Sequence, residues 1–430
     1  MTRMKESGID WIGQISEEWE VTRIKNIVSI ERGASPRPID KFISDDDTGF
    51  NWIRIGDTYK GNKYITSTRL KITNRGKQFS RYIHPGTLIL SNSMSFGEPY
   101  ISSIYGCIHD GWLSLAPYNN ISKEYLYWLL LSDVCTSQFN LVSIGAVVEN
   151  LSVDKVGNTL VSMPYSLSEQ QKIAGFLDKK TAQLDKVKAL LEKQIQKLKD
   201  YRASLIYETV TKGLDQTVPM KDSGIDWIGQ VPEGWGVKRL KDYVDFQTGT
   251  TPPQSIGVNQ ERKGVRWFKP GDFSDESVDL TSAENYITSE IVKQQKLSVY
   301  PEKTILVVGI ASIGKVGYSE NFSYSNQQIT ALKVTGQIFP KYLAYLMFSS
   351  GQYIRETALY TIVPIINNQY LSSLKIVLPN RVVQETIVEY LDKKIGQINK
   401  MIVIKNEQIE NINKQRQTLI YDYVTGKRRV

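Results

Sequence analysis

Histidine and cysteine are scarce in this chain of 430 residues, which carries two of each. Cys107 and Cys135 are too few for a disulfide scaffold or a multi-cysteine zinc site, and packing is their expected role. His84 and His109 stand in non-equivalent places, and the His109-Asp110 pair has no partner cluster in the sequence. Metal and acid/base chemistry therefore have little to build on. A glycine-rich dinucleotide loop is missing, as is the Asn-Pro-Pro-aromatic run of amino-methyltransferases. Long hydrophobic runs are missing too. The longest, Thr304 to Ile313, is too short to span a bilayer, and the opening MTRMKESGID holds no apolar signal core. A reducing cytoplasm is the expected compartment.

What is present is a repeat. Residues 4–14 read MKESGIDWIGQ and residues 220–230 read MKDSGIDWIGQ, differing only at Glu6 against Asp222. The correspondence continues with Asn51–Asp57 facing Arg266–Asp272, Thr87–Leu90 facing Thr304–Val307, Phe96-Gly97 facing Ile313-Gly314, and Leu205–Thr211 facing Leu419–Thr425, at offsets of 214 to 217. Two copies of one unit predict two similar bound objects, or one object of approximate two-fold symmetry, of which duplex DNA is the commonest. A net charge of +8 leans weakly the same way.

Each copy begins with short runs such as Asn51–Ile55, Thr87–Leu90 and Thr304–Val308, bounded by Gly, Pro, Asn and Ser, which read as strands and turns. Short helices are predicted over Lys123–Leu131 and Lys341–Phe348. A long helix closes each copy. From Ser168 to Lys212 there is no proline, with Ser168 a candidate N-cap, Gln171 completing a capping box and Gly213 at the expected C-cap. The second runs from about Val383 to Thr425. Apolar residues recur at Leu184, Leu191, Ile195, Leu198 and Leu205, and at Ile395, Ile398, Ile402, Ile409, Ile412 and Leu419. Alternating spacings of three and four form a coiled-coil seam, interrupted at Lys188, Arg202, Lys405 and Arg416. Each helix lying only on its own globular half would expose much of this stripe, so pairing of the two helices is expected.

One segment imitates a nucleotide site. Gly309-Ile310-Ala311-Ser312-Ile313-Gly314-Lys315-Val316 follows an apolar run and matches the Walker A pattern up to its last position. There Val316 stands where a magnesium-holding Ser or Thr is required. The first copy has Glu98 in place of the lysine. A nucleotide hydrolase using Gly309–Lys315 is thus the alternative from another class, and a coiled-coil scaffold without DNA is a third. Glu261-Arg262-Lys263 resembles the end of a nuclease motif but lacks its upstream Pro-Asp.

Polar and basic turns supply candidate contacts to phosphates and base edges. They are Arg32, Ser35, Arg37 and Lys41, then Arg69, Lys71, Arg75, Lys77 and Arg81. The second copy offers Thr250, Thr251, Gln254, Asn259, Arg262 and Lys263, then Lys293, Gln294 and Lys315. The frame is kept between copies while these loops differ, as two readers of different sequences would require.

The doubled SGIDWIGQ with Trp19 and Trp235 after it, Gly33-Ala34-Ser35-Pro36 and Gly249-Thr250-Thr251-Pro252, and Trp-x-x-x-Gly-Asp in both copies carry a resemblance. So do Ser312–Lys315, Asn326-Gln327-Gln328 and the helix openings ending Phe176–Lys179 and Tyr390–Lys393. In this order, twice over, they resemble the specificity subunit of type I restriction–modification systems along essentially the whole chain. The first copy departs with Asp110-Gly111-Trp112 and Glu98.

The resemblance implies an α+β fold with two β-rich target-recognition domains in pseudo-two-fold repeat (residues 1–166 and 215–381). Each is followed by a long helix (167–214 and 382–430), and the two helices pair as an antiparallel coiled coil. It implies a non-catalytic subunit that reads a bipartite, asymmetric double-stranded DNA site, with the helices fixing the spacer. Two modification subunits would bring S-adenosylmethionine, and restriction subunits ATP and Mg2+. No catalytic or metal-binding residue is expected in this chain.

Overall fold

The duplication in sequence is a duplication of topology. The computed structural model describes residues 3–9, 12–44, 48–93, 96–143, 150–251, 264–294, 297–358 and 365–430. The chain forms two compact units, Met1–Leu191 with Glu407–Val430, and Glu192–Asn406. The division falls inside both long helices, Leu167–Lys212 and Arg381–Val424. Each unit therefore holds one β-rich part and a segment of each helix.

In the first unit a sheet runs in the order Val28–Arg32, Trp112–Pro117, Leu88–Ser91, Pro99–Ser102 and Tyr64–Ile65. In the second, Val244–Thr248, Ile329–Val334, Thr304–Val308 and Val316–Ser319 follow in the same order. A second sheet pairs Phe50–Ile53 with Gly106–Ile108 in parallel and with Leu70–Ile72 antiparallel. Its counterpart pairs Val265–Phe268 with Ser323–Ser325 in parallel and with Asn285–Ile287 antiparallel.

The apolar runs explain the layering. Successive strand side chains point to opposite faces. Leu88 and Leu90 enter the core shared with the helices, while Ile89 enters the core under the second sheet. In the second unit Ile305 and Val307 face the helix core, and Leu306 and Val308 the other. A strand apolar at every position is thus covered on both faces.

The short helices form at Lys123–Leu131, capped by the Ser122 hydroxyl, and at Pro340–Ser349, opened by a proline at its first turn. The first long helix starts slightly earlier than the sequence suggests. Ser166, not Ser168, caps it, its hydroxyl accepting the Glu169 N–H at 3.4 Å, because the chain turns helical at Leu167 and carries Ser168 into the first turn. Gly213 closes it in the left-handed conformation at φ +75°, and Gly426 follows the second helix at φ +71°.

Buried glutamines latch both helix openings. Gln170 accepts the Ser122 N–H at 2.8 Å and donates to the Pro164 carbonyl at 3.0 Å. Gln384 accepts the Phe339 N–H at 2.8 Å and donates to the Pro379 carbonyl at 2.9 Å.

Within each unit the helix segments run antiparallel. In the first, the Phe176 and Tyr423 rings are 4.5 Å apart and Asp185 pairs with Arg416 at 3.7 Å. In the second, Gln194 accepts from Lys405 at 2.5 Å and Asn399 from Arg202 at 2.5 Å. Ascending one segment descends the other. Ile195, Ile398 and Ile402 are buried, and Leu184, Leu191, Leu198, Leu205, Ile395, Ile409, Ile412 and Leu419 are half-buried. Arg202 is buried as well, and Glu276 approaches it at 3.7 Å.

The repeated opening motif forms a hairpin, with Met220–Asp222 paired to Gln230–Pro232 and Met4–Glu6 to Gln14–Ser16. Asp10 and Trp11 lie outside the described residues. Each hairpin is held by a tyrosine of a long helix. Tyr207 donates to the Trp227 carbonyl at 3.0 Å, and Tyr421 to the Ile12 carbonyl at 3.1 Å.

Candidate nucleic-acid interface

Both units build the same backbone cradle from the Gly-x-Ser/Thr segment. In the first, the Gly33 N–H donates to the Trp112 carbonyl at 2.8 Å and the Ala34 N–H to the Ile108 carbonyl at 3.2 Å. In the second, the Gly249 N–H donates to the Ile329 carbonyl at 3.0 Å and the Thr250 N–H to the Ser325 carbonyl at 3.1 Å. Only glycine allows this approach. A Cβ on Gly33 would lie 2.1 Å from the His109 carbonyl oxygen, and one on Gly249 would lie 2.3 Å from that of Asn326. The aspartate of Trp-x-x-x-Gly-Asp is structural. Asp57 accepts the Arg54 and Arg69 N–H groups at 3.0 and 3.2 Å, and Asp272 those of Lys269 and Glu284 at 2.7 and 2.9 Å.

Onto this common frame the copies place different side chains. In the first, Ser35 donates to one carboxylate oxygen of Asp110 at 2.7 Å and Arg37 to the other at 3.0 Å, while Arg32 donates to the Asp110 carbonyl at 3.1 Å. Arg81 ties Arg32 in turn, donating to its carbonyl at 2.8 Å and to Glu31 at 2.6 Å. The Ser35 hydrogen bond is the main cause holding the Asp110 carboxyl below the usual range. Partial burial opposes it, and Arg37 reinforces it. In the second copy the equivalent positions hold neutral partners. Thr251 donates to Gln327, and the Thr250 hydroxyl bonds that of Tyr324.

Beside the first cradle lies a cavity of about 680 Å³ whose walls include Arg37, Arg54, Arg69, Trp52, Ile39 and His109. His109 is largely buried and accepts the Gly111 N–H at 2.8 Å. Burial pulls its pKa below the ordinary value, against the opposing pull of Asp110.

The remaining predicted residues are spread more widely. Lys41 is exposed at the end of the short turn Ile39–Lys41, Arg75 is exposed on the helix Asn74–Lys77, and Lys71 is half-buried on the strand Leu70–Ile72. Lys77 rests on the rings of Phe50 and Tyr82, at 4.2 and 4.0 Å. Lys293 and Gln294 are exposed at the end of the helix Ser289–Gln294. Gln254, Asn259, Arg262 and Lys263 lie outside the described residues, as do Pro252 and Glu261. Asp110 was missed as a member of this group because its partners are far away in sequence.

The near-Walker segment is not a phosphate loop. A phosphate loop leads from a strand into a helix, whereas here the strand Val316–Ser319 returns antiparallel to Thr304–Val308. Lys315 donates to the Phe273 carbonyl at 3.2 Å and lies 3.9 Å from Asp275. Glu98 in the first copy pairs with Lys60 at 3.5 Å, so the charges of this ion pair are exchanged between copies. Among the described residues no group of His, Cys, Asp and Glu could hold a metal ion, and no helix is long and apolar enough to cross a membrane.

A duplicated cradle that keeps its backbone and varies its side chains is the architecture of a recognition protein with two readers. Comparison with known proteins gives the family. The type I restriction modification DNA specificity domain matches twice, over residues 16–199 and 232–411, and the chain belongs to that family. It is accordingly a specificity subunit, the non-catalytic recognition component of such systems. It is 23% identical to the type I restriction enzyme MjaIX specificity subunit of Methanocaldococcus jannaschii, across 100% of this chain and 97% of that one. In fold it resembles a chain from a structure of a type I R-M system, at TM-score 0.76 and 17% identity over 96% of this chain and 99% of the other. It also resembles the HsdS subunit from Thermoanaerobacter tengcongensis, at TM-score 0.54 and 18% identity over 96% and 98%.

Proposed function

We propose that the two β-rich parts each read one half of a bipartite, asymmetric double-stranded DNA site, and that the long helices set the spacer between the halves. The observation that carries this reading is the shared cradle holding Ser35 and Asp110 in one copy and Thr251 and Gln327 in the other. A conserved backbone with exchanged polar side chains suits two positions that read different bases. The basic residues spread over the two copies (Arg32, Lys41, Arg69, Lys71 and Arg75 in the first, Lys293 in the second) suit phosphate contacts, which fix register without specifying sequence.

The chain would assemble with two modification subunits, which bind S-adenosylmethionine and methylate adenine N6, and with restriction subunits that use ATP and Mg2+. Its place would be the cytoplasm. None of those cofactors is assigned to residues of this chain. Methylome sequencing of cells expressing the chain with its partner subunits tests the reading. An interrupted motif of two unlike halves is expected, and an uninterrupted methylated motif would overturn it.

A further inference from the structure

The polar network of the first cradle converges on one residue, Asp110. Arg37 is the outermost member, with its side chain 81% exposed and one guanidinium nitrogen 3.0 Å from Asp110. Asp110 is fixed from several directions. Ser35 holds its second carboxylate oxygen, Arg32 and Asn92 hold its carbonyl at 3.1 and 3.0 Å, and the Ser35 hydroxyl accepts its N–H at 3.2 Å. Arg37 also stands between Pro36, which is buried, and Pro38, and these rings restrict the backbone that carries it.

Such support fits an oriented planar fork rather than a point charge. A residue that only grips phosphate gains nothing from a carboxylate beside it, because that carboxylate cancels part of its charge and repels the ligand. A residue that reads a base edge gains from having its plane held. A guanidinium has five N–H donors and Asp110 uses one, so two parallel donors remain for a pair of acceptors. In the major groove the edge that offers two acceptors on one base is guanine, through O6 and N7. In the second copy the counterpart of Asp110 is Gln327, an amide with both donor and acceptor that accepts from Thr251, and the sequence has Pro253 where the first copy has Arg37.

We propose that Arg37 reads a guanine in the half-site of the first copy and that Asp110 is its positioning residue. This rests on the reading of the chain as a two-part DNA reader. The test uses the complete methyltransferase complex and its wild-type methylated motif. Arg37→Ala should make one G·C position of one half-site degenerate and leave every other position intact. Asp110→Asn should relax the same position and no other. In competition binding, replacing that guanine by 7-deazaguanine removes N7. It should weaken the wild-type complex by roughly 10-fold and leave the Arg37→Ala complex indifferent.

If Arg37→Ala weakens all duplexes equally, abolishing methylation or not, Arg37 is a backbone contact and the proposal fails. It also fails if the motif is unchanged in that variant, or if neither strand of the half-site contains guanine. An uninterrupted wild-type motif would instead remove the two-reader premise itself.

Discussion

The hydroxyl of Tyr342 donates to the carbonyl of Val210 at 2.9 Å, across 132 residues of sequence, and to that of Val377 at 3.1 Å. Val210 lies in the last turn of the first long helix, where carbonyls have no partner within the helix. The first unit repeats the arrangement with Tyr125, which reaches Val424 at the end of the second helix and Ser162, both at 3.4 Å. In each unit, therefore, a helix end is satisfied by the short helix packed beneath it. Removing the hydroxyl strands buried carbonyls. Tyr342→Phe is expected to cost about 1–2 kcal/mol, and Tyr125→Phe less because its bonds are longer. Chemical denaturation of the two variants checks the order, and equal or reversed losses would contradict it.

Glycine substitutions should separate the cradle from the helices. Gly33→Ala and Gly249→Ala drive a Cβ into backbone carbonyls, so each should be destabilising and should weaken methylation at the natural site. Gly175 and Gly396 lie inside the long helices with nothing within 4 Å of an added Cβ. Alanine there should stabilise by about 0.5–1 kcal/mol. Melting temperatures of the four variants decide it.

His109 gives a pH dependence of known sign. Its folded pKa lies below the ordinary 6.5 because burial disfavours the charged ring. The unfolded chain therefore takes up the proton first as pH falls, and stability contributed by the neutral ring is lost below the unfolded pKa. Unfolding free energy should decline as pH falls through about 6.5, the unfolded value, and His109→Gln should show a smaller decline. An unchanged slope in that variant would assign the effect elsewhere.

The spacer should follow helix length. Inserting four residues between Leu191 and Leu198 adds one turn, about 6 Å, which a coiled-coil seam absorbs by local unwinding. With base pairs rising about 3.4 Å each, the spacer should lengthen by one or two base pairs while both half-sites persist. An active complex that keeps its original spacer would show that the helices are not the ruler.

Much of the fold was legible because it was written twice. Strands such as Thr304–Val308 and the three-four spacing of Ile395, Ile398 and Ile402 are local signals, and the repeat confirms each by its copy. The cradle was legible only in part. Gly33 and Gly249 marked it, but Ser35 and Arg37 meet Asp110 from 75 and 73 residues away, and no local pattern joins them. Proximity in sequence misled at Lys315 as well. Its glycine-rich surroundings imitate a phosphate loop, and only the returning strand shows a hairpin.

The central claim is that each copy reads its half-site independently. The most direct measurement replaces residues 25–160 with the matching domain of another specificity subunit and sequences the methylome of the assembled complex. The account predicts that one half of the methylated motif changes and the other stays intact. A change in both halves, or in neither, would contradict it.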